Sequence, residues 1–217
     1  MLKMLPLSLI LMCLSVTAVF GQGRIPVAAR QPGDVPPEEM LRVRSFTGVG
    51  PRSIVKTPVY NTTAERGARS PQDWQHIVLQ YDVMVPWIDE MTVQFFVLGM
   101  IRDPETGGNL YSLFRKNIRY VDLEGGRDRS RRAEAFLRPA GLRRFGRVVA
   151  TAAIVTINGQ VVATPEDSDR SAGLPESWWE NPLVINSPAL TVREGYLLDR
   201  NETPWAVINY DDAEFIR

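Results

Sequence analysis

His76 is the only imidazole that this chain could bring to a reaction. A Ser-His-Asp arrangement would have to use it, and no Gly-x-Ser-x-Gly elbow is present. It falls on the more polar side of its stretch, beside Trp74 and Val78, where a surface or edge-packed role accounts for it. Cys13 is the one cysteine and lies inside an N-terminal apolar run, so the ligand set of a zinc site is missing. Neither a metal nor another cofactor is expected. Two acidic pairs, Asp89-Glu90 and Asp211-Asp212, invite a glycosidase reading. That chemistry holds two carboxyls about 5–9.5 Å apart across a sugar, whereas adjacent turn residues diverge. Asp89-Glu90 falls where a hairpin turn is expected, and solvated turn charges account for both pairs. No catalytic residue is assigned, and the protein is read as a non-enzyme.

Charge offers a second clue. Basic and acidic residues number 25 each, so no global electrostatic partner is indicated. The stretch 127–147, however, holds arginines at 127, 129, 131, 132, 138, 143, 144 and 147 against only Asp128 and Glu134. The last nineteen residues carry Asp199, Glu202, Asp211, Asp212 and Glu214 against Arg200 and Arg217. This asymmetry fits a polyanion site, or a basic patch docked on the acidic tail of the same or a neighbouring subunit. An arginine-rich habit of coding explains it equally, since lysine occurs only at 3, 56 and 116. No aromatic residues interleave a basic face, and nucleic acid is not expected. Trp87, Trp178, Trp179 and Trp205 are read mainly as core, apart from Trp178-Trp179, because two adjacent indoles seldom both bury. The candidate binding patch is therefore Trp178, Trp179, Arg127, Arg129, Arg131, Arg132, Arg143 and Arg144. Gly48-Val49-Gly50 lacks the following helix of a phosphate loop. Asn61-Thr62-Thr63 and Asn201-Glu202-Thr203 match a glycosylation acceptor short enough to recur by chance.

The elements that must position these groups read as β-strands. Residues 74–85, 91–102 and 110–121 form three consecutive strands, a central meander. In the second, Met91, Val93, Phe95 and Val97 share one face. The opposite face turns apolar with Phe96, Leu98 and Met100, which places that strand centrally with cover on both sides. Shorter strands are expected at 41–46, 54–60, 183–186, 190–198 and 205–210. Residues 130–137 could be helix or strand. Pro139 opens a single helical turn that Gly146 closes. Asn158-Gly159 is a type I′ hairpin turn between 154–157 and 160–163. The small residues 150–153 before it imply a bulky partner. Residues 175–182 fit a short helix. About eight to ten strands with turns between them indicate an all-β antiparallel sandwich with one or two short helices.

Residues 1–21 read as a signal peptide: Lys3, then an apolar run to Phe20, with Gln22 the new N-terminus. Residues 22–40, with Pro26, Pro32, Pro36 and Pro37, read as an extended linker, and 41–217 as the folded domain. The chain is expected to be exported, periplasmic or at the cell surface, and cysteine-free once cut.

The closing run Gly195-Tyr196-Leu197-Leu198-Asp199-Arg200-Asn201-Glu202-Thr203-Pro204-Trp205, with the leader and the arginine-rich segment before Gly146, resembles a known family. It is that of the exported immunoglobulin-like proteins encoded with type IV pilus assembly genes in mucus-associated Verrucomicrobia. The resemblance implies an immunoglobulin-like sandwich working in or beside a surface pilus, without enzymatic activity, and transfers no functional residue. A pilin keeps its apolar helix after cleavage, whereas here that run precedes Gly21, so an accessory or envelope component is expected. Its partners would be envelope or pilus proteins, or further copies of itself. The alternatives are a carbohydrate-binding adhesin module using Trp178 and Trp179, and an unassigned glycoside hydrolase.

Overall fold

Alternating side chains in three long strands fix the plan: β3 (Asp73–Val83), β4 (Trp87–Arg102) and β5 (Asn109–Glu124). The computed structural model describes residues 35–58, 70–126, 130–208 and 214–217. The expected leader, Asn61, Arg127, Arg129 and Asp211-Asp212 lie outside them. The remaining strands are β1 (Leu41–Thr47), β2 (Ile54–Lys56), β6 (Arg131–Leu137), β7 (Arg147–Ile157) and β8 (Gln160–Ala163). After them come β9 (Glu166–Ser168), β10 (Leu190–Arg193), β11 (Leu197–Asp199) and β12 (Phe215–Ile216). Three short helices join them: α1 (Pro37–Met40), α2 (Pro139–Phe145) and α3 (Pro182–Ile185).

Two sheets result. One runs β1-β3-β6-β11, with β2 also on β3; the other runs β10-β5-β4-β7-β8, with β12 on β5 and β9 on β7. The pairings are antiparallel, except that β10 lies parallel to β5. This is an immunoglobulin-like, all-β sandwich. Ile77, Leu79 and Tyr81 from the first sheet and Val93, Phe95 and Val97 from the second are fully buried in the shared core. Each of the aliphatic and phenylalanine side chains among them contributes about 1.5–3 kcal/mol of apolar burial.

The three long strands do not form one meander, because β3 and β4 belong to different sheets. Pro86 lacks the N–H that would continue a ladder, so the chain crosses between layers there. Gly125 packs against that crossing: a Cβ on it would lie 1.7 Å from the Val85 carbonyl oxygen.

The two-sided cover of β4 is present. Phe96 and Leu98, on the outer face, pack with Val149, Ala150, Ala152, Trp178 and Trp179 in a second cluster. The bulky partner of the small residues in β7 is thus the tryptophan pair. A third cluster, Trp74, Phe136 and Leu198 with Trp205 against them, closes the outer face of the first sheet.

The open choice at 130–137 resolves to strand: 131–137 pair with β3 in seven-residue register from Gln75↔Leu137 to Tyr81↔Arg131. Several other local expectations change. Residues 182–185 are helix rather than strand, because the Asn181 carboxamide caps the Leu183 N–H at 3.0 Å and Pro182 stands at N1. The expected strand 190–198 splits at Glu194-Gly195, sending β10 and β11 to opposite sheets. Residues 205–208 are turns, since Asp199 and Glu202 form a capping box and Thr203 Oγ1 donates to the Arg200 carbonyl at 2.7 Å. Residues 176–180 form turns rather than a helix. At the end of the expected linker, α1 buries Met40 against the core.

Candidate functional site

A cleft of about 940 Å³ opens where the loop before β2, the start of β3, α2 and the start of β7 meet. Local sequence builds it. Pro139 starts α2, and Gly146 ends it at φ 79°, turning the chain into β7. There a Cβ would lie 2.2 Å from the Met100 carbonyl oxygen. Opposite, the Asp167 carboxylate accepts from the Gly48 and Val49 N–H groups at 2.9 and 3.0 Å. The Gln75 carboxamide donates to the Gly48 carbonyl at 2.6 Å. The loop is therefore held rigidly against the sheet edge. Val49, Pro51, Ile54, Pro139, Leu142 and Val148 give the cleft its apolar walls.

Charge stands on the rim. Arg147 donates to Asp169 at 2.5 Å, and Lys56 pairs with Asp73 at 3.0 Å. The hydrogen bond from Arg147, then those from the Ser171 side chain and N–H, hold the Asp169 carboxyl down at about 2. Arg143, by contrast, donates to the neutral Gln72 side chain at 2.7 Å. Arg144 and Arg193 both lie over the Phe145 ring, 5.3 and 5.0 Å from its centre. The other contact of Arg144 is the Tyr196 hydroxyl at 3.4 Å. The Arg193 Nε is buried and has no hydrogen-bond partner among the described residues. The α2 corner therefore gathers positive charge that the described residues leave without a carboxylate.

The expected patch is divided. Arg143 and Arg144 sit on α2 and are exposed, as is Arg132 on β6. Arg131 is not part of a surface: its side chain is 12% exposed and pairs with Glu214 at 2.6 Å. The arginine-rich segment and the acidic tail thus meet within one chain. Trp178 and Trp179 are 1% and 6% exposed, edge to face at 5.9 Å, so the stacking platform expected of them is closed. Both bury because the turn through Ser177, at φ 51°, lays them over the small side chains of β7.

His76 belongs to a structural network. Its Nε2 lies 3.0 Å from Glu134, whose other oxygen accepts from Arg200 at 2.7 Å. Its ring stacks on Phe136 at 4.4 Å, and Phe136 stacks in turn on Trp205 at 4.8 Å. Burial works to raise the Glu134 carboxyl, but the bonds and charges of His76 and Arg200 overcome it and hold the group below its usual range. Burial pushes the Tyr120 hydroxyl, which accepts from the Glu134 N–H at 2.9 Å, well above its ordinary value. Asp89-Glu90 lies inside β4, not in a turn, and Glu90 pairs with Arg119 at 2.6 Å. Sequence reasoning missed Gln72, Asp169, Arg193 and Tyr196, which join this end of the molecule from distant stretches with no shared spacing.

A search of curated proteins finds no match. Among solved structures, a crystal structure of a protein from Akkermansia muciniphila is similar at 23% identity with a TM-score of 0.61. It covers 82% of this chain and 94% of that one, a likeness of fold. A family model matches residues 52–216, which takes in β2 to β12 and the whole α2 corner. The chain belongs to the pilus-associated family that its closing run resembles, the immunoglobulin-like proteins of mucus-associated Verrucomicrobia.

Proposed function

We propose that this protein is a non-enzymatic, exported accessory component of a type IV pilus-like surface system, acting by binding other envelope proteins at the periplasmic face or cell surface. The observation that carries the reading is the family match across residues 52–216. The side-chain chemistry agrees with it. His76 and Glu134 are engaged with Arg200 and stacked aromatic rings. The adhesin alternative is not favoured, because its two indoles are enclosed under the loop that carries them. Among the described residues no helix is long and apolar enough to cross a membrane.

The test is chemical crosslinking in intact cells of the producing bacterium, followed by purification of the tagged protein from the envelope fraction. Recovery of pilus assembly proteins, absent from an untagged control, is the expected result. A tagged chain found only as a monomer in the cytoplasm would refute it.

A further inference from the structure

We infer that the α2 corner and its cleft form a docking site for an acidic polypeptide segment bearing an apolar side chain. This rests on the binding reading above and adds where the partner sits and what it must carry. Some arginines elsewhere are held by carboxylates: Arg44 by Asp82, Arg119 by Glu90, Arg131 by Glu214 and Arg200 by Glu134, all at 2.6–2.7 Å. Others, such as Arg42, Arg102 and Arg115, join no carboxylate among the described residues but stand singly along strands, whereas at α2 such guanidiniums gather around one ring and one cleft. Arg138, Arg143, Arg144 and Arg193 have no carboxylate within 4.0 Å among the described residues, and the nearby Glu194 is exposed and joins none of them.

Two of these guanidiniums share one phenyl ring, an arrangement that an anion between or beside them would relieve. The buried, unpartnered Nε of Arg193 adds a donor whose hydrogen bond is unmade. Charge alone would suit any anion, but the adjoining cleft selects further. Much of its wall is apolar, its two carboxylates, Asp73 and Asp169, are held by Lys56 and Arg147, and its volume, about 940 Å³, lies within the range of ligand sites. A free phosphate or a sulfated sugar has no group that gains from that surface. A peptide with alternating carboxylate and branched apolar side chains satisfies both halves, its acids on the arginines and one apolar side chain in the cleft.

The probe is the peptide acetyl-Glu-Leu-Glu-Leu-Glu-amide, titrated into the full ¹⁵N-labelled protein and followed by amide shifts. Perturbations confined to residues 49–54, 139–148 and 193–196 are expected. Arg143→Glu with Arg144→Glu should weaken binding by roughly tenfold or more. The charge-matched pair Arg42→Glu with Arg115→Glu, on exposed strand positions away from the cleft, should leave it unchanged. Replacing both leucines of the probe by serine should also weaken it severalfold. Scattered shifts, equal losses in the two double variants, or tighter binding of a sulfated hexasaccharide at the same residues would each overturn the site. In the envelope crosslinking, equal recovery of pilus proteins by wild type and the Arg143→Glu, Arg144→Glu variant refutes the docking site but leaves the assembly reading standing. No recovery by wild type refutes the assembly reading, while the titration still decides the site.

Discussion

Glu134→Gln is the substitution that most directly probes the bond between the sandwich and its C-terminal segment. The Glu134 side chain is 9% exposed and lies between His76, 20% exposed, and Arg200, 18% exposed. Glutamine keeps the shape but removes the charge, leaving the Arg200 guanidinium largely buried without its counter-ion. Arg200 also donates to the Ile208 carbonyl, so the loss reaches the turns that hold Trp205 over Phe136. Breaking a buried pair costs ~3–5 kcal/mol, and the partial exposure of Arg200 places this one near ~3 kcal/mol. For a chain of this length that lowers the melting temperature by about 6–12 °C near neutral pH. The sign with pH follows from the carboxyl being held below its unfolded value. The contribution is complete above the unfolded pKa of about 4.3 and disappears as pH falls through the lower folded value. Wild type and variant should therefore converge in acid. Circular dichroism melts across that range measure this, and Arg200→Gln with Glu134→Gln closes a double-mutant cycle. A drop under about 2 °C at neutral pH, or a gap that widens in acid, refutes the reasoning.

Three further substitutions test other parts of the molecule. Trp178→Ala should destabilise by ~3–5 kcal/mol, read as a lower urea midpoint, because it empties the layer over Ala150 and Ala152. An exposed stacking residue would leave the midpoint unmoved. Gly146→Ala combines φ 79° with a Cβ 2.2 Å from a backbone oxygen, and should cost well over ~1 kcal/mol in a thermal melt. The Asp169 carboxyl carbon should titrate in NMR at about 2, its contribution present above the unfolded value and lost as pH falls through the folded one. Arg147→Gln should return it toward the ordinary aspartate range, since Arg147 supplies the largest of its hydrogen bonds.

What the sequence made legible was periodicity. The face alternation from Met91 to Ile101 foretold both the shared core and the second layer over Phe96 and Leu98, because burial on two sides leaves no polar face to write. Asn158-Gly159 foretold its turn, with φ of 53° and 79° at the two positions. The errors gather where a local side chain outbid strand propensity. Asn181 and Pro182 started a helix in an apolar run, and the capping box of Asp199 and Glu202 leads into turns at 205–208, within the stretch 205–210 that read as strand. Sheet membership was hidden as well, since no pattern within β3 or β4 records that Pro86 divides them between layers.

The site shows the same limit more sharply. Arginine number was visible, but arginine pairing was not. Arg131 and Arg143 look alike in sequence, yet one is buried on Glu214, 83 residues away, and the other rests on the neutral Gln72, 71 residues before it. Only the fold decides which guanidiniums are spent on stability and which remain for a partner. Buried pairs such as Arg131–Glu214 tie the tail down and cannot be lent out without loosening the molecule. The cations at α2 have no such duty within the described chain, and they stand beside an apolar-walled cleft. A surface that binds envelope partners without giving up stability would recruit those cations first.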